Sequence, residues 1–229
     1  MKKIYYITAV FATLFLVGCG DGIDLPGVNV ETDLNKIPLP DNNVNLEQVE
    51  LKPSTEPMLH EGLHTEEDFQ RIRDKKAAGE EPWVSAYQLL VESQFSQKTA
   101  DTYPTEWIKR GISGDENYMN AARGATIVYQ QALRWKIEQD DEYAAKAVEN
   151  LNKWVQTCVG VTGNTNLSLA AGLYGYEFAI AGELLRDYGG WDRADFAAFQ
   201  NWLLKVFYPA NDDFLKRCLL YTSDAADDK

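Results

Sequence analysis

Few residues in this 229-residue chain could carry acid–base or nucleophilic chemistry. The two histidines, His60 and His64, flank Glu61-Gly62-Leu63. A base or metal-ligand role is open to them, beside a surface or capping role at the start of the first helix. Arg110-Gly111 follows Trp107 in a polar stretch that also holds Gly114, Asn117 and Tyr118. An exposed guanidinium beside aromatics suits recognition of a sugar carboxylate, because its planar fork matches the two carboxylate oxygens. Asn164-Thr165-Asn166 precedes an apolar helical run containing Tyr174 and Tyr176. Residues two apart on a helix point to different faces, so one tyrosine is expected in the core and the other free to stack on a sugar. Gly172 and Gly175 lie in the same run; a helical glycine costs about 1 kcal/mol against alanine, which close packing or room beside a ligand would offset.

Other chemistries are poorly supported. The chain has no nucleophile elbow, Walker loop, His-Glu-x-x-His sequence or dinucleotide fingerprint. Three cysteines and two histidines make a classical zinc site a poor fit, and no metal or cofactor is expected. A net charge of −13 argues against non-specific nucleic-acid binding, which needs a basic face. No run of 18 apolar residues exists to span a bilayer.

The two ends read differently from the middle. Lys2-Lys3, the apolar stretch Ile4 to Val17, and Leu16-Val17-Gly18-Cys19 match a lipoprotein signal, with Cys19 taking the lipid. Residues 1–18 are therefore expected to be a signal peptide, and the protein to be exported and membrane-anchored through Cys19, in the periplasm or at the cell surface. Residues 218–229, back-translated, resemble a transposase adapter used in sequencing libraries. On that reading native sequence stops at Arg217 and Cys158 is the only cysteine of the folded part. The tail holds three aspartates and one lysine, so the charge without it is −13 + 2 = −11. Five of the eight prolines lie at positions 26, 38, 40, 53 and 57, in a stretch without Trp, Tyr or Phe. Residues 19–58 read as a flexible tether.

Helices must position the candidate residues. Thr65-Glu66-Glu67-Asp68 reads as an N-terminal cap before Phe69 and Ile72, and Pro82 as a first helical residue before Trp83, Ala86, Leu89 and Leu90. Apolar stripes at the helix period follow: Met119, Ala122, Thr126, Tyr129, Leu133 and Ile137; then Tyr143, Ala147, Leu151, Trp154 and Cys158. Leu169, Leu173, Tyr176, Ile180 and Leu184 form another, and Phe196, Phe199, Leu203 and Phe207 the last. No comparable strand alternation occurs. The aromatics of Arg134-Trp135-Lys136 and Asn152-Lys153-Trp154 read as core. Short links at Gln139-Asp140-Asp141 and Gly189-Gly190 imply antiparallel hairpins. The expected fold is all-α, a partial (α/α) toroid built from antiparallel helical hairpins.

Five stretches in order resemble the N-terminal part of the alginate lyase superfamily of polysaccharide lyases. They are His60-Glu61-Gly62-Leu63-His64-Thr65-Glu66-Glu67-Asp68-Phe69, Ala132-Leu133-Arg134-Trp135-Lys136-Ile137, Leu151-Asn152-Lys153-Trp154, Leu169-Ala170-Ala171-Gly172-Leu173-Tyr174-Gly175-Tyr176-Glu177-Phe178 and Phe207-Tyr208-Pro209. The resemblance covers residues 59–217. It implies a cleft for an acidic polysaccharide and cleavage of uronate chains by β-elimination, without a cofactor. The family's Asn-His and Tyr-Trp catalytic signatures follow the point reached at Phe214-Leu215, so the catalytic groups are expected beyond Arg217. This chain is then a fragment, inactive on its own, in which Arg110, Asn164, Asn166, Tyr174 and Tyr176 bind substrate. A non-catalytic glycan-binding helical lipoprotein is the alternative. A toroid glycoside hydrolase would need paired acids in the cleft, and Asp140-Asp141 reads as a loop.

Overall fold

The computed structural model describes residues 63–216. His60, Cys19 with the expected signal and tether, and Cys218 with the expected adapter-derived tail lie outside the described residues.

Residues 63–216 are mostly helical. The elements are α1 (Glu66–Ala77), α2 (Trp83–Glu92), a 3-10 turn (Gln94–Ser96), β1 (Trp107–Arg110), α3 (Tyr118–Glu138), α4 (Asp141–Thr157), β2 (Gly160–Gly163), α5 (Asn166–Leu185) and α6 (Arg193–Val206). Residues 208–216 are also helical.

Local chemistry sets these boundaries. Thr65 and Asp68 form a reciprocal capping box: the Thr65 hydroxyl accepts from the Asp68 N–H, and the Asp68 carboxylate accepts from the Thr65 N–H at 3.0 Å. Acids fill the first turn of α1, and Lys75 and Lys76 the last, as the helix dipole favours. Pro82 stands one residue earlier than expected, as the N-cap of α2 rather than its first residue. Helix α2 buries none of its residues, and Leu89 is 71% exposed. Between α3 and α4, Gln139 adopts a left-handed backbone and the Asp140 carboxylate caps α4 by accepting from the Glu142 N–H.

The stripe along α4 is buried as its spacing implies, from Tyr143 through Trp154 to Cys158. Trp154 and Phe178 meet at 5.4 Å, and Phe178 in turn touches Trp202 and Phe207. The faces of α3 and α5 are shifted from expectation. Helix α3 buries Ala121, Ala125, Val128 and Ala132, while Met119 is exposed. Helix α5 buries Ala170, Ala171, Tyr174, Phe178, Ala181 and Leu185, and leaves Leu169, Leu173 and Tyr176 exposed. Small residues explain the shift. A Cβ on Gly175 would lie 2.7 Å from Phe207, and one on Gly182 would lie 2.2 Å from Phe199. The neighbouring aromatics thus pack directly onto the α5 backbone. Gly175 serves packing, as one of the two expectations for the glycines had it.

Side-chain contacts advance together along α1, α3 and α5, so these helices run parallel. His64, just before α1, meets Tyr129, and Arg73 donates to the Lys136 carbonyl at 2.8 Å. Tyr118 stacks on Tyr174, Thr126 pairs with Glu177, and Lys136 acts on Glu183. Helices α4 and α6 return, and Asn152 on α4 donates to Asp195 on α6 at 2.8 Å.

Two buried amides fasten the segment that leads into β1. Gln131 donates to the carbonyls of Gln97 and Ala100 at 2.9 and 3.1 Å. Asn150 donates to the Ala100 carbonyl and to the Gln131 side chain, and accepts from the Thr102 N–H at 3.2 Å. Both side chains are wholly buried and hydrogen-bonded, as buried polar groups must be.

Candidate functional site

Helical periodicity gave no sign of the pair of strands that organises the site. β1 and β2 pair in parallel, with Trp107 opposite Gly160 and Arg110 opposite Gly163. Each strand has four residues, too short to show alternation. Arg110, expected in a polar loop, is the last residue of β1. The register places it beside the turn that carries Asn164.

Two glycines make that approach possible. Gly163 has φ +147, and a Cβ there would fall 1.7 Å from the Arg110 carbonyl oxygen. Gly111 has φ +81, and its missing Cβ is occupied by the Asn164 side chain, 1.9 Å from the ideal position. Asn164 therefore lies across Gly111. Its side-chain Oδ1 accepts from the Asn166 N–H at 2.9 Å, closing a turn at the start of α5.

Arg110 reaches from this ribbon to the helices. Its Nη1 donates to the Tyr174 hydroxyl at 3.0 Å, and its guanidinium sits 4.6 Å from the centre of the Tyr118 ring. The Tyr118 and Tyr174 rings are parallel, 6.5 Å apart. Burial pushes the Tyr174 hydroxyl above its usual pKa, opposed by the Arg110 charge. Tyr174 thus stays protonated and can donate. Arg110 makes no ion pair with a carboxylate among the described residues, whereas its neighbour Lys109 is held by Asp115 at 2.7 Å. One ring face and one hydrogen bond leave the remaining guanidinium N–H groups for an external anion.

The structure brings three of the expected residues together: Arg110, Asn164 and Tyr174. Asn166 is exposed at the first position of α5, beside them. Tyr176 stands apart. It is 56% exposed, whereas Tyr174 is 7% exposed, which matches the expectation of one core and one free tyrosine.

Tyr176 belongs to a second cluster farther along the seam between α3 and α5. His64 Nε2 and the Tyr129 hydroxyl are in hydrogen-bond contact at 2.5 Å, and the two rings stack at 5.9 Å. Burial holds the His64 imidazole below its ordinary pKa, against the pull of Asp68. Burial pushes the Tyr129 hydroxyl up to about 12, with Tyr176 and Glu177 adding to the effect. Burial also raises the Glu177 carboxyl, despite a hydrogen bond with Thr126.

Tyr129, Thr126 and Glu177 escaped functional notice because they sit inside apolar stripes, where a tyrosine or threonine reads as core. The available signal was Glu177, one of two carboxylates in a mostly apolar helix. Trp154 and Trp135 are core aromatics as expected: Trp154 is wholly buried, and half-buried Trp135 packs edge-on against Tyr188. Asp140 caps α4 and Asp141 accepts from the Trp135 indole, so this acid pair is structural.

A separate cavity of about 220 Å³ lies against a different face of α3, lined by Phe95, Asp101, Tyr103, Asn120 and Arg123. Among the described residues, no group of three or more His, Cys, Asp or Glu side chains could hold a metal ion, and no helix is long and apolar enough to cross a membrane.

A family model described as Alginate lyase matches residues 72–212. No curated protein and no solved structure gives a match.

Proposed function

The chain belongs to the alginate lyase family, and from that premise we propose that it acts on a uronate-containing polysaccharide of the alginate or glucuronan type by β-elimination. The observation that carries the reading is the Arg110 guanidinium, seated on Tyr118, bonded to Tyr174 and unpaired with any carboxylate among the described residues.

The chemistry needs such a group. The C5 proton of a uronate is weakly acidic because the carbanion left behind sits beside a charged carboxylate. A cation bidentate to that carboxylate spreads the developing charge and lowers the barrier. A base then takes the C5 proton, the C4–O4 bond breaks, and an acid protonates the departing O4, leaving a C4=C5 double bond. Arg110 fits the neutralising role. Tyr174, Asn164 and Asn166 fit hydrogen bonding to the same ring. The base and acid are proposed to come from sequence beyond Arg217.

Parallel α1, α3 and α5 with returning α4 and α6 support an (α/α) toroid whose concave layer carries the α3–α5 seam. The Leu16-Val17-Gly18-Cys19 sequence supports export and lipid anchoring. Cys19→Ala should release the protein from the membrane fraction.

The test is electrophoresis of the full chain through gels containing alginate or glucuronan. Retardation by at least one polyuronate is expected. Arg110→Ala should lose it, and Arg110→Lys should restore only part, since an ammonium keeps the charge but not the fork. Equal migration with and without both polymers, or unchanged retardation of Arg110→Ala, overturns the reading.

A further inference from the structure

The cluster around Tyr176 has no part in the carboxylate chemistry at Arg110, yet it lies on the same seam. Tyr118 marks the Arg110 end on α3 and Tyr129 the other. Along α3 these two are about 16 Å apart at 1.5 Å per residue, and along α5 Tyr174 and Tyr176 are about 3 Å apart. A polysaccharide lying along the seam would reach from one to the other with more than one ring. We propose that Tyr176, His64, Tyr129 and Glu177 form a second sugar subsite, taking the hydroxyl-bearing face of a uronate ring removed along the chain from the one held by Arg110. The inference rests on the reading above and deepens it.

The geometry of each group suits that ligand. Tyr176 presents an exposed ring, and an aromatic face packs against the C–H surface of a pyranose. His64 and Tyr129 are already bonded to each other at 2.5 Å and stacked, so each has its direction fixed before a ligand arrives. His64 is placed by the capping box immediately after it and by Phe69, whose ring lies 5.5 Å away. Glu177 lies on α5 between Tyr174 and Ile180 and is tied to Thr126.

Charge separates the two subsites. Among the described residues the first presents the Arg110 guanidinium, which suits a carboxylate. The second holds the stacked His64–Tyr129 pair and Glu177 tied to Thr126, and burial disfavours the charged forms of both His64 and Glu177. Asp68 is the further charge acting on His64. Among the described residues this arrangement offers donors and acceptors to hydroxyls, with no lysine or arginine bonded to His64, Tyr129 or Glu177. A chain could therefore bind with one ring held by the Arg110 charge and another by stacking and hydrogen bonds.

The experiment is calorimetric titration of the full chain with a diuronate and a tetrauronate prepared from the polymer that retards it. Tyr176→Ala removes only an exposed ring, so folding is not at issue. It should weaken the tetrauronate by roughly threefold to tenfold, the range for one lost aromatic stack, and leave the diuronate unchanged. His64→Gln, which keeps a neutral hydrogen-bonding group, should fall between wild type and His64→Ala for the tetrauronate. Arg110→Ala should weaken both lengths. The subsite is overturned if Tyr176→Ala binds the tetrauronate as wild type does, or if it weakens both lengths equally. Binding of neither oligomer by the wild type would instead overturn the function itself, and the subsite with it.

Discussion

Replacing Asn150 with leucine should unfasten the segment that delivers Arg110. The two side chains share a branched skeleton and leucine is the bulkier, so the substitution removes hydrogen bonds without leaving a cavity. Asn150 makes three: to the Ala100 carbonyl at 3.0 Å, to the Gln131 oxygen at 3.1 Å, and from the Thr102 N–H at 3.2 Å. The Ala100 carbonyl keeps its bond from Gln131, and the Thr102 N–H keeps a longer contact with Asp101 at 3.3 Å. The Gln131 oxygen is left with nothing, in a site with no access to water. A buried orphan costs about 1–3 kcal/mol. One complete orphan and one weakened donor should therefore cost about 2–4 kcal/mol. For a chain of this size that lowers Tm by roughly 5–12 °C. Urea unfolding followed by tryptophan fluorescence measures it. Asn152→Ala is the control, since Asn152 bonds only to exposed Asp195 and should shift stability by less than about 1 kcal/mol. A loss under about 0.5 kcal/mol for Asn150→Leu, or equal losses for the two variants, would refute the reasoning.

Gly182→Ala should destabilise by about 1–3 kcal/mol, because its Cβ would press on buried Phe199; thermal unfolding checks it. Glu177 has a folded pKa raised above its ordinary 4.5, so its contribution is full below that value and is lost as pH rises through the folded pKa. Glu177→Gln should remove that part of the decline, seen as a flatter stability profile above pH 4.5. The Cys158 thiol is buried and pushed up to about 11, so its peptide should stay unlabelled by iodoacetamide at pH 8 until denaturant is added. Labelling of the native protein at the rate of a free thiol would contradict its burial.

Large side chains made α4 legible and α5 misleading. On α4 the bulky residues and the buried face coincide, so the 3.6 period pointed inward. On α5 the bulky Leu169, Leu173 and Tyr176 lie on the free face, while Ala, Gly and Phe178 make the packed one. Periodicity weighs side-chain size, but α5 was selected for how closely neighbours approach its backbone. The capping box at Thr65 was readable because it is local. The β1–β2 pairing was not, because its partners are separated by two helices and neither strand is long enough to announce itself. Arg110 was legible as a candidate from its type and neighbours; its approach to Tyr174 was set by that hidden pairing. His64 was visible as a lone histidine, but its partner Tyr129 was masked by the apolar stripe around it.

The ribbon also fixes when the site comes into being. Pairing Trp107 with Gly160 closes a loop that contains both α3 and α4. Closing a long chain segment costs entropy that four residues of ladder cannot offset alone. The strands can meet only after the α3–α4 hairpin has docked and drawn their ends together. Arg110 is therefore expected to reach Tyr174 late on the folding route, after the rate-limiting step. Substitutions in β1 and β2 should accelerate unfolding and leave the refolding rate nearly unchanged. The same ordering predicts that a brief loss of the ribbon would release Arg110 and Asn164 together while the helical core stays closed.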